Sequence, residues 1–186
     1  MNLGIIGCGK MGSALVKGAI KENAIDGQKV MVIDLVTELA QKLSNEIGAT
    51  VAKTNDDLIK NSDAILLCVK PQDMISLTDS FNKERSSKLF ISIAAGIKID
   101  DLEKSLKNDD RVIRVMPNTP AMIGQGASAQ SKGKNATKSD AEFVSKINPL
   151  ADAPEPGDGP SRESRENGNY DVLFCADLDD GSEVHA

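Results

Sequence analysis

Gly7-Cys8-Gly9-Lys10-Met11-Gly12 follows the apolar run Leu3-Gly4-Ile5-Ile6 without a break and opens into Met11, Leu15, Val16, Ala19 and Ile20 at helical spacing. Glycines placed between a strand and a helix divide the work between them. The first permits a tight turn, the second lets the backbone approach a pyrophosphate with no Cβ in the way, and the third lets the helix pack closely on the strand. The start of that helix then offers unpaired N–H groups and a partial positive charge to the phosphates. Three glycines alone also fit an ordinary structural turn; the position at the head of an alternating chain favours the dinucleotide reading.

That alternation continues outward from the loop. Val30–Ile33, Ala64–Val69, Leu89–Ile93 and Val112–Val115 are short apolar runs rich in β-branched residues, each bounded by Gly, Asp, Asn, Lys or Pro, as buried parallel strands are. Leu39, Leu43 and Ile47 form a second helical stripe, with Thr37 expected as its cap. Asp100 is expected to cap a helix through Leu102 and Leu106, and Thr137 a last helix through Phe143 and Ile147. These elements predict an α/β fold: a Rossmann-like, doubly wound, mostly parallel sheet with helices on both faces. No repeat at solenoid spacing interrupts it.

Asp34 ends the second strand about twenty residues past the glycines, where a carboxylate can accept hydrogen bonds from the adenosine ribose hydroxyls. A carboxylate there repels a 2′-phosphate, and Leu35, Val36 and Thr37 supply no cation to receive one, so the reading leans towards NAD. Lys29 and Lys42 are the cations that could still reach across, and a plain strand-end Asp is the alternative. Three later segments stand at carboxyl ends of expected strands, the edge at which open α/β sheets bind ligands. They are Cys68-Val69-Lys70-Pro71-Gln72, Ser92-Ile93-Ala94-Ala95-Gly96-Ile97 and Arg114-Val115-Met116-Pro117-Asn118-Thr119-Pro120. Ala95-Gly96 leaves room for a flat ring or a backbone contact, and Asn118 and Thr119 are held between two prolines. Together with the glycine loop they outline one crevice.

Composition narrows the function classes. The net charge of −6 lacks the basic footprint of a general nucleic-acid binder, and a small molecule is the expected partner. No apolar run reaches the length of a membrane span and the first residues do not read as a signal peptide, so a cytoplasmic, non-membrane protein is expected. Aromatic residues make up 3% of the chain and Trp is absent, which leaves the core to Ile, Leu, Val, Ala and Met. Cys8, Cys68 and Cys175 are too widely spaced for a metal or disulfide framework; no metal is expected, and Cys8 and Cys68 read as small buried hydrophobes. His185, the single His, stands in the acidic end and is given no catalytic role.

Several of these motifs carry a family resemblance. Gly-x-Gly-x-Met-Gly at 7–12, Val69-Lys70-Pro71-Gln72, Ser-Ile-Ala-Ala-Gly-Ile at 92–97, Arg-Val-Met-Pro-Asn-Thr-Pro-Ala at 114–121 and Gly124-Gln125-Gly126-Ala127 closely resemble pyrroline-5-carboxylate reductase in order and spacing, from Met1 to about Ile147. The resemblance implies reduction of the imine of 1-pyrroline-5-carboxylate to L-proline with hydride from NADPH or NADH, the last step of proline biosynthesis. It implies that Ile6, Gly7, Cys8, Gly9, Lys10, Met11 and Gly12 form the pyrophosphate loop, with Asp34 at the ribose and Asn55 on the adenosine side. Cys68, Val69, Lys70, Pro71, Ala94, Ala95 and Gly96 would line the path to the nicotinamide, and Asn118 and Thr119 would stand near nicotinamide and substrate. A protonated imine accepts hydride readily, so the protein mainly aligns donor and acceptor. No residue is assigned as the catalytic acid.

The chain departs from the family after Ile147. Residues 1–148 read as the dinucleotide-binding domain. Residues 149–186 read as an acidic tail rich in Pro and Gly, with 149–169 as disordered or linker sequence and Tyr170-Asp171-Val172-Leu173-Phe174 as a strand whose docking is doubtful. Residues 1–150 hold 20 Lys and Arg against 18 Asp and Glu, and residues 151–186 hold 2 against 10, so the negative balance lies in the tail. The helical domain that completes dimer and substrate pocket in the family is expected to be missing, leaving a truncated chain. The readings are a reductase by descent, active or not, and a stand-alone dinucleotide-binding module or inactive remnant. A related imine or β-hydroxyacid reductase is disfavoured by the 114–121 block. An apolar face left by the missing domain, centred on Phe143, Val144 and Ile147, is expected to drive self-association.

Overall fold

The structure is a computed structural model that describes residues 1–117, 128–147 and 170–173. Apolar runs buried on both faces become the central strands, as a parallel sheet covered on each side requires. They are β1 (Leu3–Ile6), β2 (Val30–Ile33), β4 (Ala64–Leu67), β5 (Leu89–Ser92) and β6 (Arg111–Pro117). Short β3 (Thr50–Val51), β7 (Ser128–Lys132) and β8 (Tyr170–Leu173) complete one eight-stranded sheet in the order β3-β2-β1-β4-β5-β6-β7-β8. All pairings up to β6 are parallel, and the β6–β7 and β7–β8 pairings are antiparallel. The expected α/β, doubly wound sheet is thus present, with its strand order reversing between β1 and β4.

Helices α1 (Lys10–Lys21), α2 (Thr37–Ile47) and α6 (Lys138–Ile147) pack on one face, and α3 (Asn55–Asn61), α4 (Pro71–Asp79) and α5 (Ile99–Ser105) on the other. Alternating strand residues feed two cores. Leu3, Ile5, Val32, Leu66, Ile91 and Val115 meet Leu15, Val16, Leu43 and Val144 on the first face. Ile65, Leu67, Phe90 and Val112 meet Leu58, Ile59, Met74 and Leu102 on the second. Each large apolar side chain so buried contributes about 1.5–3 kcal/mol.

Several sequence expectations are corrected. Thr37 is the first helical residue of α2, not its cap; Val36 holds that position and no side chain caps the helix. Lys98, not Asp100, precedes α5, and Asp100 lies in its first turn. Thr137 does cap α6: its Oγ accepts the Asp140 N–H at 3.1 Å, while Asp140 Oδ2 accepts the Thr137 N–H at 2.9 Å. The α6 face expected to be bare is covered. Val144 and Ile147 are 1% and 6% exposed against α1 and the sheet, and Phe143 is half-buried. Tyr170–Leu173, whose docking the acidic sequence made doubtful, pairs with β7 from Ser131↔Tyr170 to Ser128↔Leu173. Residues 149–169 lie outside the described residues.

Candidate functional site

Register brings the site together. Ile6 pairs with Ile33 on one side and Leu67 on the other, so Gly7, Asp34 and Cys68 leave the sheet at the same height. Leu67 pairs in turn with Ser92, which brings the 93–97 segment to the same edge. Gly7 takes φ +102°, a conformation that favours glycine, and donates its N–H to Ile33 O at 2.9 Å. Cys68 donates its N–H to Ile6 O at 2.8 Å.

The glycines differ in what surrounds them. A Cβ on Gly7 would lie 2.7 Å from both the carbonyl carbon and the oxygen of Cys68, and one on Gly12 would lie 2.5 Å from Gly7 O. Gly9 has an ordinary extended backbone, φ −68° and ψ −174°, and a Cβ there would meet no protein atom within 4 Å. The fold itself therefore requires the first and third glycines and leaves the second open.

Behind Gly9 the helix α1 begins. Its first intrahelical bond runs from Ser13 N–H to Gly9 O at 3.0 Å, so the N–H groups of Lys10, Met11 and Gly12 have no acceptor inside the helix. Every other α-helix among the described residues has a carboxylate in its first turn, and α1 has none. Its positive end is not neutralised by an acidic residue of its own first turn.

Asp34 is more committed than the sequence reading allowed. Its Oδ2 accepts the Cys8 N–H at 2.6 Å, and its Oδ1 accepts the Val36 N–H at 2.8 Å. The Cys8 amide, expected within the pyrophosphate loop, is thus already spent inside the protein. Ser13 was not singled out from the sequence, although a hydroxyl in the first turn after a glycine loop is a usable signal; its Oγ donates to Cys8 O at 2.9 Å. Burial pushes the Cys8 thiol from its ordinary 9.0 up to about 12, with the Asp34 charge adding to the rise and the bond to Ile33 O opposing it. Burial, and then Cys8, pushes Cys68 up as well. Both are neutral, weakly acidic groups near neutral pH, which suits packing and not proton delivery.

The other expected residues fall as follows. Ile6 is buried beneath the loop, Lys10 is exposed and Met11 half-buried. Val69 is half-buried, Lys70 precedes α4, and Pro71 is its first residue. Ala94 is buried and donates its N–H to Ser92 Oγ at 3.3 Å, while Ala95 and Gly96 are exposed, Gly96 with φ +76°. Asn55 begins α3, which follows β3 at the same edge. Asn118, Thr119 and the Gly124–Ala127 block lie outside the described residues. A cavity of about 440 Å³ lies away from this edge, lined by Asp56, Lys60, Asn82, Glu84, Arg85, Ser86 and Lys88, and shares no residue with the glycine loop. The candidate site is an open edge of the sheet, not that cavity.

A switch-point glycine loop, an open second glycine and a helix start without an acidic residue are features of the α/β class that holds dinucleotides at this sheet edge. The chain belongs to the family of NADP oxidoreductases, coenzyme F420-dependent, which it matches over residues 2–96. It is 38% identical to the pyrroline-5-carboxylate reductase of Methanosarcina acetivorans over 146 residues, covering 78% of this chain and 54% of that protein. Its fold is similar to a pyrroline-5-carboxylate reductase from Coxiella burnetii, with TM-score 0.74, 25% identity, and 80% and 55% of the two chains covered. A Plasmodium falciparum pyrroline carboxylate reductase with NADP bound matches at TM-score 0.67 and 29% identity, over 80% of this chain and 54% of that one. The resemblance carried by the motifs is borne out in these relatives, and the chain spans about half the length of the curated relatives it matches. No helix among the described residues is long and apolar enough to cross a membrane.

Proposed function

We propose that this chain is the coenzyme-holding part of a pyrroline-5-carboxylate reductase, binding NADPH or NADH for reduction of 1-pyrroline-5-carboxylate to L-proline. The observation that carries the reading is the contrast among the glycines: Gly7 and Gly12 are hemmed in by the protein's own backbone, whereas Gly9 meets nothing within 4 Å. A glycine that no protein atom requires, beside three helix N–H groups without intrahelical acceptors, fits a ligand that comes close to the main chain. The nicotinamide supplies hydride when bound. Gly9 to Gly12 then receive the pyrophosphate, Asp34 faces the ribose, and the 68–71 and 94–96 segments flank the path of the reactive ring. The imine needs alignment and a proton, and neither thiol at this edge is acidic enough to supply the proton.

A second reading is a module that binds coenzyme without turnover, since the match covers 54% and 53% of two of the relatives. Calorimetric titration with NADH and NADPH, repeated on Gly9→Val and followed by an assay with 1-pyrroline-5-carboxylate, separates the two. Binding lost in the variant together with turnover supports the reductase. Binding without turnover supports the module, and absence of binding overturns both.

A further inference from the structure

Asp34 stands where a carboxylate is usually asked to choose between the two coenzymes, yet both of its oxygens are engaged by the protein's own backbone. One accepts the Cys8 N–H at 2.6 Å and the other the Val36 N–H at 2.8 Å. The first bond fixes the Gly7–Cys8 peptide, and the second fixes the turn from β2 into α2. Since Ser13 Oγ holds the carbonyl of the same residue at 2.9 Å, Cys8 is gripped at both its N–H and its C=O. The adjoining turn has little else to hold it: Leu35 is 101% exposed, Val36 51% exposed, and α2 has no side-chain cap.

We infer that Asp34 is a positioning residue which clamps the phosphate loop to the β2–α2 turn, so that replacing it weakens NADH and NADPH together instead of exchanging one for the other. The inference rests on the coenzyme-binding reading above. A carboxylate has about four acceptor sites, so two remain for ribose hydroxyls while the clamp holds. Asn at this position would turn an NH₂ towards one of the two N–H groups, donor against donor. Ser is too short to bridge them.

The test uses the full chain, with Asp34→Asn, Asp34→Ser and, as a comparison that leaves the clamp intact, Thr37→Arg at an exposed position. Calorimetry gives the affinity for each coenzyme, and amide NMR gives the shift and exchange rate of Cys8 N–H. Both Asp34 variants are expected to lose about tenfold or more for each coenzyme, the scale of a hydrogen bond to a charged group, with the NADH to NADPH ratio nearly kept. In Asp34→Ser the Cys8 amide is expected to move upfield and exchange faster, while a dispersed spectrum shows that the fold persists. Thr37→Arg is expected to raise NADPH affinity and leave the Cys8 amide unmoved. A tenfold swing towards NADPH in the Asp34 variants, or a Cys8 amide that stays unmoved in Asp34→Ser, overturns the clamp. Failure of the functional reading looks different: the wild-type chain binds neither coenzyme although its Cys8 amide still responds to Asp34.

Discussion

A methyl group on Gly12 would lie 2.5 Å from Gly7 O and 3.0 Å from Cys68 Cβ, so the helix that carries Gly12 is seated against the turn that carries Gly7 with no room for a side chain. Gly12→Ala is therefore expected to lower unfolding stability by about 1–3 kcal/mol, the usual cost of overpacking. Gly9→Val, in open space and at a backbone conformation valine accepts, is expected to stay within about 0.5 kcal/mol of wild type. Urea unfolding of the two variants checks the contrast; equal losses would mean that Gly9 is structural after all.

Asp110 holds together the turns at the opposite edge of the sheet. Its carboxylate accepts Arg85 Nη1 at 2.7 Å, Arg85 Nη2 at 2.6 Å, and the N–H groups of Lys88 and Lys107 at 3.0 Å each. The Arg85 and Asp110 side chains are 9% and 1% exposed, and the guanidinium lies 5.0 Å from the centroid of the Phe90 ring. Asp110→Ala leaves that guanidinium buried without its counter-charge, and a loss of about 3–5 kcal/mol is expected. Thermal unfolding reads it, and a drop below about 1 kcal/mol would show the pair to be well solvated.

Alkaline pH should act through Cys8. Its folded thiol is held up to about 12 against an ordinary 9.0, so as pH rises past 9 the unfolded chain sheds this proton while the folded chain keeps it. Fewer protons on the unfolded state means that stability falls with rising pH, by up to about 1.4 kcal/mol per pH unit for this group between the two values. Urea midpoints from pH 8 to 10.5 should decline less steeply in Cys8→Ser than in wild type. Parallel curves would assign the decline to other groups.

At the start of α6, Thr137→Ala removes a cap and is expected to cost about 1 kcal/mol. Asp140→Ala should cost more, since Asp140 also bonds Arg111 Nη1 at 2.6 Å and is 3% exposed. Chemical denaturation of both ranks them; the reverse order would mean that the Arg111 pair contributes nothing.

The strands of the sheet centre were legible because they must be apolar on two faces. Val30–Ile33 and Leu3–Ile6 have the expected bounds, and the expected runs from Ala64 and Leu89 begin at the right residue. Ser-Ala-Gln-Ser-Lys at 128–132 and Thr50-Val51 were not legible. A strand near the sheet edge buries little, and its place is set by backbone pairing that composition does not encode. The start of α2 was misplaced for a related reason. Thr37 looks like a cap by residue type, but the turn before α2 takes its hydrogen bond from Asp34, two residues before Val36.

For the site, the sequence by itself determined which residues stand at the strand ends, because glycine spacing, an acid after the second strand and prolines after later ones follow from local chain geometry. Only the tertiary structure decided what those residues do for one another. Register sets Gly7, Asp34 and Cys68 side by side, so that two glycines are required by backbone contact and one is left open. It also turns the Asp34 carboxylate onto the Cys8 N–H, 26 residues away in the chain. Hydrogen bonds between distant residues depend on distances of tenths of an ångström, and those are fixed by how the strands align and the helices pack, not by the order of the letters.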